Sequence, residues 1–288
     1  MAGIVQVIVD SSADIPQDKV DSLGIHVLPL AIHFGEESFL ERKNITSEQF
    51  YQRLEAEAPR VPKTSHPSQG EFEVLYRDVL ARGHEVVSIH LSDNFSGTYQ
   101  TALAAARAVG DDAPITVVDS RNVSMCVGWL AIAAARAARQ GATRPEIKAL
   151  VTTMIPRLRL PAFLGTLDYI RYSGRIGKAS AYLGTLLNIK PIVHVEGGEL
   201  LPLEKVRTHK RALKRLVTLV EQLAPFEEVC VVHTHCLDTA QEVAERIAGL
   251  HPRERILIAE AGVAMGCHIG PGAVGVAALR KSVEAHEE

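Results

Sequence analysis

The chain has 288 residues, with 31 Lys and Arg against 34 Asp and Glu and a formal net charge of −3. That length holds one large domain or two modest ones, and 47% hydrophobic with 23% charged residues is the composition of a chain that buries a core. The near-neutral balance gives no whole-molecule attraction for nucleic acid or an anionic membrane, and 5% aromatic residues excludes a surface of base-stacking platforms.

Ile4 to Val9 is a short apolar run closed by Asp10-Ser11-Ser12, which predicts a buried strand. No basic segment precedes it, so it is not read as a signal peptide, and a cytoplasmic location is expected. Val86 to Leu91 and Ile115 to Val118 repeat the strand pattern, each ending in a polar cluster. Gly70 to Arg82 predicts a helix behind Ser68, with Glu71 completing a capping box. Gly97 to Val109 predicts a helix behind Ser96, and the Ala-rich stretch Val123 to Gln140 another. Alternation of short strands and helices implies a parallel sheet covered on both faces.

Pro156 and Pro161 bracket a short basic segment that marks a boundary. Beyond it, Lys190 to Val195, Gly197-Gly198 and Glu199 to Val206 predict a hairpin. A helix from Thr208 to Leu223, a strand Glu228 to His233, a helix Thr239 to Leu250, and strands Arg255 to Ala259 and Val274 to Leu279 follow. The expected fold class is therefore α/β in two lobes. Residues 1–158 form an N-terminal α/β lobe with a parallel sheet, and residues 159–288 a C-terminal α+β lobe with a mixed sheet. Ala261 to Leu279 carries no formal charge, but its five glycines and Pro271 argue for tight backbone rather than a membrane span. Cys126, Cys230, Cys236 and Cys267 form no CxxC pair and are read as free thiols.

Several clusters are candidates for chemistry. In an open parallel sheet, ligands sit beyond the carboxyl ends of the strands. Ser96 and Thr98 flank Gly97 at a helix start, where free N–H groups favour an anion; the bland alternative is that Ser96 only caps its helix. Thr64-Ser65-His66-Pro67-Ser68 is a second hydroxyl cluster, or an ordinary turn. Arg171 to Lys178 looks like a phosphate loop but has Tyr172 and Ala179 where a Walker loop needs Gly and Ser or Thr; Arg175 or Lys178 still reach an anion from it. Gly270-Pro271-Gly272-Ala273-Val274-Gly275 matches a dinucleotide fingerprint in string only, since thirteen residues follow it. Its glycines are read as a tight turn that positions His268, either a functional group or a structural one. His233, His235 and Cys236 make a weak metal candidate, and Arg207, Lys210, Arg211, Lys214 and Arg215 a basic helix face, either solvated or docking an acidic partner. An enzymatic alternative takes Ser96 as nucleophile or phosphate carrier and His268 as its base, for acyl or phosphoryl transfer.

Taken in order, the marks Val9-Asp10-Ser11-Ser12-Ala13-Asp14, Thr64-Ser65-His66-Pro67-Ser68, Phe95-Ser96-Gly97-Thr98-Tyr99, Val118-Asp119-Ser120, Ser173-Gly174-Arg175-Ile176-Gly177, Lys190-Pro191-Ile192 and His268-Ile269-Gly270-Pro271-Gly272 resemble the DegV family of fatty-acid-binding proteins. The resemblance runs over nearly the whole chain. It implies a long-chain fatty acid such as palmitate, stearate or oleate in a tunnel between the lobes, with no other cofactor, no metal and no catalytic residue. It implies that Thr64 and Ser96 hold the carboxylate, with Ser65, Gly97 and Thr98 in the supporting loops. Arg175 and His268 then lie near the carboxyl end, where a separate fatty-acid kinase phosphorylates the acid to an acyl phosphate for phospholipid metabolism. Two departures from the family pattern stand out: Ser173 where a Gly is common before Gly174, and Thr234-His235-Cys236 after His233, where a Gly is common.

Overall fold

Period-two burial explains the first sheet. The computed structural model describes residues 4–177 and 189–282. Strands β1 (Val5–Asp10), β2 (His26–Leu28), β6 (Glu85–His90) and β7 (Ile115–Asp119) run parallel in the order β2-β1-β6-β7. On β1, Val5, Val7 and Val9 enter one core cluster, while Ile8 enters another with Phe72 and Tyr76. Side chains alternate across a strand, so each face needs its own cover. Helices Gln69–Ala81 and Thr98–Val109 cover one face, and helix Met125–Arg139 the other. The Ser68–Glu71 capping box forms as the spacing predicts.

The second lobe is a six-stranded mixed sheet in the order β10-β9-β8-β13-β11-β12. Its strands are β8 (Leu158–Phe163), β9 (Lys190–Glu196), β10 (Glu199–Val206), β11 (Phe226–His233), β12 (Ile256–Glu260) and β13 (Val274–Arg280). Only β11 and β12 pair in parallel. The β9–β10 hairpin turns through Gly197 and Gly198 at φ +60° and +88°, the left-handed values a two-residue turn of this twist demands. Helices His209–Glu221 and Leu237–Arg246 cover the outer face. The inner face meets the other side of helix Met125–Arg139, whose Trp129 Nε1 donates to Ala277 O at 2.9 Å. That helix is apolar almost all round because it is packed between two sheets. It begins two residues later than predicted, since Ser124 at φ +58° turns the chain before it.

A third, small antiparallel sheet is not anticipated by the sequence patterns. Strands β3 (Ala31–Phe34), β4 (Glu37–Leu40) and β5 (Lys63–Ser65) pair in the order β4-β3-β5. Each is three or four residues long, below the window in which alternation is legible. It packs with helix Ser47–Ala56 onto helix Val263–Ile269 through Ile32, Phe50 and Cys267. Ala261 to Leu279 is thus divided between that short helix, a glycine turn and β13, and no helix among the described residues is long and apolar enough to cross a membrane.

Candidate functional site

Helix Val263–Ile269 is fixed at its start by two buried carboxylates from distant parts of the chain. Asp14 accepts from Gly262 N at 2.8 Å and from Ser124 Oγ at 2.5 Å; Glu41 accepts from Ala264 N at 2.8 Å and from Ser11 Oγ. Burial pushes both carboxyls up, Asp14 to about 7, against the hydrogen bonds they accept. The helix stops at Gly270 (φ +67°), where a side chain would run into the Tyr169 ring. The glycine segment therefore serves as a turn, with His268 in the last helical turn before it.

A cavity of about 320 Å³ opens beside this helix, within the range of about 300–1,000 Å³ typical of small-molecule sites. Ala264, Met265, His268 and Ile269 form one wall. Thr64 comes from β5, Leu91, Phe95 and Ser96 from the loop after β6, and Val195 and Leu200 from the hairpin of the other lobe. The cavity thus brings together Thr64, Ser65, Ser96, Gly97, Arg175 and His268. Thr98 stands just behind it, fully buried.

His268 Nε2 and Thr64 Oγ1 are 2.9 Å apart, and His268 Nδ1 is buried without a partner. Burial, and then the positive charge of Arg175, hold the His268 imidazole down at about 4, so the ring is neutral at pH 7. A neutral ring protonated on Nε2 donates to Thr64 and leaves only a lone pair orphaned at Nδ1. The other tautomer strands a buried N–H, the rarer orphan. Thr64 then keeps its own proton for the cavity. Ser96 Oγ lies 2.8 Å from Thr98 Oγ1 and accepts from Thr98 N at 3.4 Å. Thr98 is closed off from water, and when it donates to Ser96 the Ser96 proton is likewise free. Gly97, not Ser96, is the N-cap residue of the following helix and makes no side-chain cap bond, although Ser96 Oγ accepts from the first helical N–H, that of Thr98.

The remaining named positions divide. Neighbours on a strand point to opposite faces, so the Ser65 hydroxyl bonds His33 Nε2 at 2.8 Å, and Ser65 borders the cavity without turning its hydroxyl to the Thr64 side. Thr64 and Ser65 sit on a strand rather than in a turn. Arg175 is exposed at the rim, its Nη1 donating to Ser173 O at 2.7 Å. Lys178 lies outside the described residues. Phe95, Ser96, Gly97, Arg175 and Leu200 also border an open polar cleft of about 520 Å³ with Asp93, Asn94 and Glu199, so this end of the cavity adjoins an open recess.

Ser12, which the sequence places in the polar cluster at the carboxyl end of β1 without assigning it a role, is 4% exposed and lines the cavity. Its hydroxyl donates to Asp10, which also accepts from His90 Nδ1 at 2.9 Å and Leu91 N at 3.3 Å. The chain continues from His90 Nε2 to Ser88 at 2.7 Å and to Tyr76 at 2.9 Å. The polar run Asp10 to Asp14 closing β1 was the available signal.

The metal candidate takes a different form. β11 ends at His233, which accepts from Cys236 N at 3.3 Å, so His233 and His235 do not share a strand face. His235, at φ +51°, stacks on Tyr51 with ring centroids 4.6 Å apart. Among the described residues no three His, Cys, Asp or Glu side chains cluster to hold a metal. In the basic helix face Arg215 pairs with Glu204 at 2.5 Å, while Arg207, Lys210, Arg211 and Lys214 are exposed.

Lowered folded-state basicity at His268 has a sign. A group depressed from 6.5 to about 4 contributes full stability above 6.5 and loses it as pH falls through that window. An NMR titration of the lipid-free protein is expected to place the His268 midpoint near 4, and near 6.5 if the ring is solvated instead. A carboxylate seated beside Thr64 shifts the midpoint upward.

A parallel-sheet lobe and a mixed-sheet lobe with an apolar-walled, hydroxyl-ended cavity between them define the class, a two-lobed α/β fold. The family model for DegV, described as uncharacterised protein, matches residues 4–281. The chain belongs to the DegV family. It is 36% identical over 279 residues to a DegV domain-containing protein of Clostridium acetobutylicum, covering 95% of this chain and 96% of that one. It is 32% identical over 278 residues to protein DegV of Bacillus subtilis, covering 94% and 98%. Among solved structures, DegV of Bacillus subtilis, a fatty acid binding protein, superposes with a TM-score of 0.86 at 30% identity, covering 97% of this chain and 100% of that one. A fatty-acid-binding DegV family protein from Thermus thermophilus superposes at 0.88 with 28% identity, covering 96% and 99%.

Proposed function

We propose that this protein binds a long-chain fatty acid such as palmitate, stearate or oleate in the cavity and presents the carboxyl group to a partner fatty-acid kinase, which phosphorylates it to an acyl phosphate. The reading rests above all on one observation: Thr64 and Ser96, from different elements, meet in a chamber whose other walls are largely apolar. A sixteen-carbon acid buries about fifteen methylene and methyl groups at about 0.8 kcal/mol each, so the tail supplies the affinity even after association costs of several kcal/mol. The hydroxyls then add direction and a smaller share of the affinity. Neutral hydroxyl donors give direction without the grip of a bidentate guanidinium, which suits a carboxylate that is to be phosphorylated. The open polar cleft that shares Ser96 and Arg175 gives that end a side from which a phosphoryl donor approaches.

The protein acts here as a carrier, without catalytic residues or a cofactor of its own and in the cytoplasm. A Ser96–His268 nucleophile and base is the weaker reading, because the hydroxyl on His268 is Thr64 and the partner of Ser96 is Thr98. Denaturing extraction of untagged protein followed by mass spectrometry is expected to release a long acyl chain in near-stoichiometric amount. No acyl chain, together with no uptake of added palmitate or oleate, overturns the proposal.

A further inference from the structure

The cavity does not end at its far wall. A second chamber of about 90 Å³ adjoins it, and the two share Val123, Leu164, Val195, Leu200, Met265 and Ile269 as lining. Thr64 and Ser96 border only the first chamber. The second is closed by the mixed sheet, including Ala162 on β8 and Gly275 on β13.

Resting on the fatty-acid reading above, we propose that the acyl tail passes from the first chamber into the second and that Met265, at the waist between them, determines the chain length the protein selects. Of the six shared residues, Leu164 and Val195 are buried in core clusters, and Val123 and Ile269 are β-branched and stiff at χ1. Met265 is half-buried, unbranched and able to change shape without moving its backbone. That backbone is held still, because Gly262 N and Ala264 N are bonded to Asp14 and Glu41. The same short helix carries His268 beside Thr64, so the distance from head group to waist is set within one rigid element. Leu200 belongs to both chambers as well, but it lies on the hairpin and borders the open cleft, where it contributes to the rim.

Each methylene denied a place costs about four-fold in affinity, so a change in waist or chamber is readable as a change in length profile. The experiment loads untagged protein from an equimolar mixture of myristate, palmitate, stearate and arachidate and measures the bound acids by mass spectrometry. In Met265→Ala, which opens the waist, the ratio of stearate and arachidate to palmitate is expected to rise about four-fold or more. In Ala162→Val, which fills the second chamber from a strand position that tolerates valine, the same ratio is expected to fall about four-fold per excluded methylene. Full uptake with the wild-type profile in both variants overturns the waist alone. Wild-type protein that takes up none of the acids overturns the fatty-acid reading, and the waist with it. Should Met265→Ala not fold, Ala162→Val decides: a profile moved toward shorter chains supports the proposal, and an unmoved one overturns it.

Discussion

Replacing both Thr64 and Ser96 by alanine is expected to weaken palmitate binding by about a hundred-fold or more while leaving the fold intact. A hydrogen bond to a charged acceptor contributes about 1.5–3 kcal/mol, about ten- to a hundred-fold each. Both hydroxyls are arranged to donate: His268 stands behind Thr64 and Thr98 behind Ser96. Neither position is in the interior of the core, since both are half-buried at the cavity surface, so the thermal midpoint of the lipid-free variant should stay within a few degrees of wild type. Thr64→Ser keeps the donor and should keep the affinity. Displacement of a fluorescent fatty acid measures the effect. Unchanged affinity in the double variant means that the head group lies elsewhere.

The largest loss of stability is expected at Asp10. It accepts from His90 Nδ1, Leu91 N, and both Ser12 N and Ser12 Oγ, and it is fully buried. Alanine there leaves a fully buried imidazole and a backbone donor without acceptor, and breaking a buried pair of this kind costs about 3–5 kcal/mol. Urea unfolding at neutral pH measures it, and a loss below about 1 kcal/mol contradicts the account. The pH dependence follows. Burial pushes the Asp10 carboxyl up, but the hydrogen bond and charge of His90, with Ser12 and Leu91, outweigh it and hold the carboxyl below 3.8. Its stabilisation is therefore present above pH 3.8 and lost as pH falls through the folded value. Asp14 acts in the opposite sense. Raised from 3.8 to about 7, it contributes most below 3.8 and progressively less as pH rises toward 7. Asp10 and His268 thus both contribute to the acid limb of the wild-type stability curve, alongside other depressed groups such as His194 and His233, and in Asp10→Ala that limb should be less steep.

The same loop from Asp10 to Asp14 illustrates why the binding end was only partly legible. Its residue types mark the polar carboxyl end of a strand, where a ligand sits in an open parallel sheet. That Ser12 reaches the cavity, that Asp10 is tied to His90, and that Asp14 holds Gly262 N all depend on segments far away in the chain. No spacing in the sequence encodes such partners. Ser65 makes the point in reverse. It stands beside Thr64 in sequence, but the two-residue period of β5 turns it toward His33.

What the sequence determined by itself was everything governed by local chemistry. Apolar runs closed by polar residues became the parallel strands, Ser68 and Glu71 capped their helix, and Gly197-Gly198 turned the hairpin, because propensity, capping and turn geometry act within a few residues. Helix Met125–Arg139 was legible as a helix, but its place between two sheets was not, since amphipathicity vanishes when both faces are buried. The small sheet, the cavity and its second chamber were decided only by tertiary structure. A void is the space left over when distant surfaces fail to meet, and that depends on how every surrounding side chain packs.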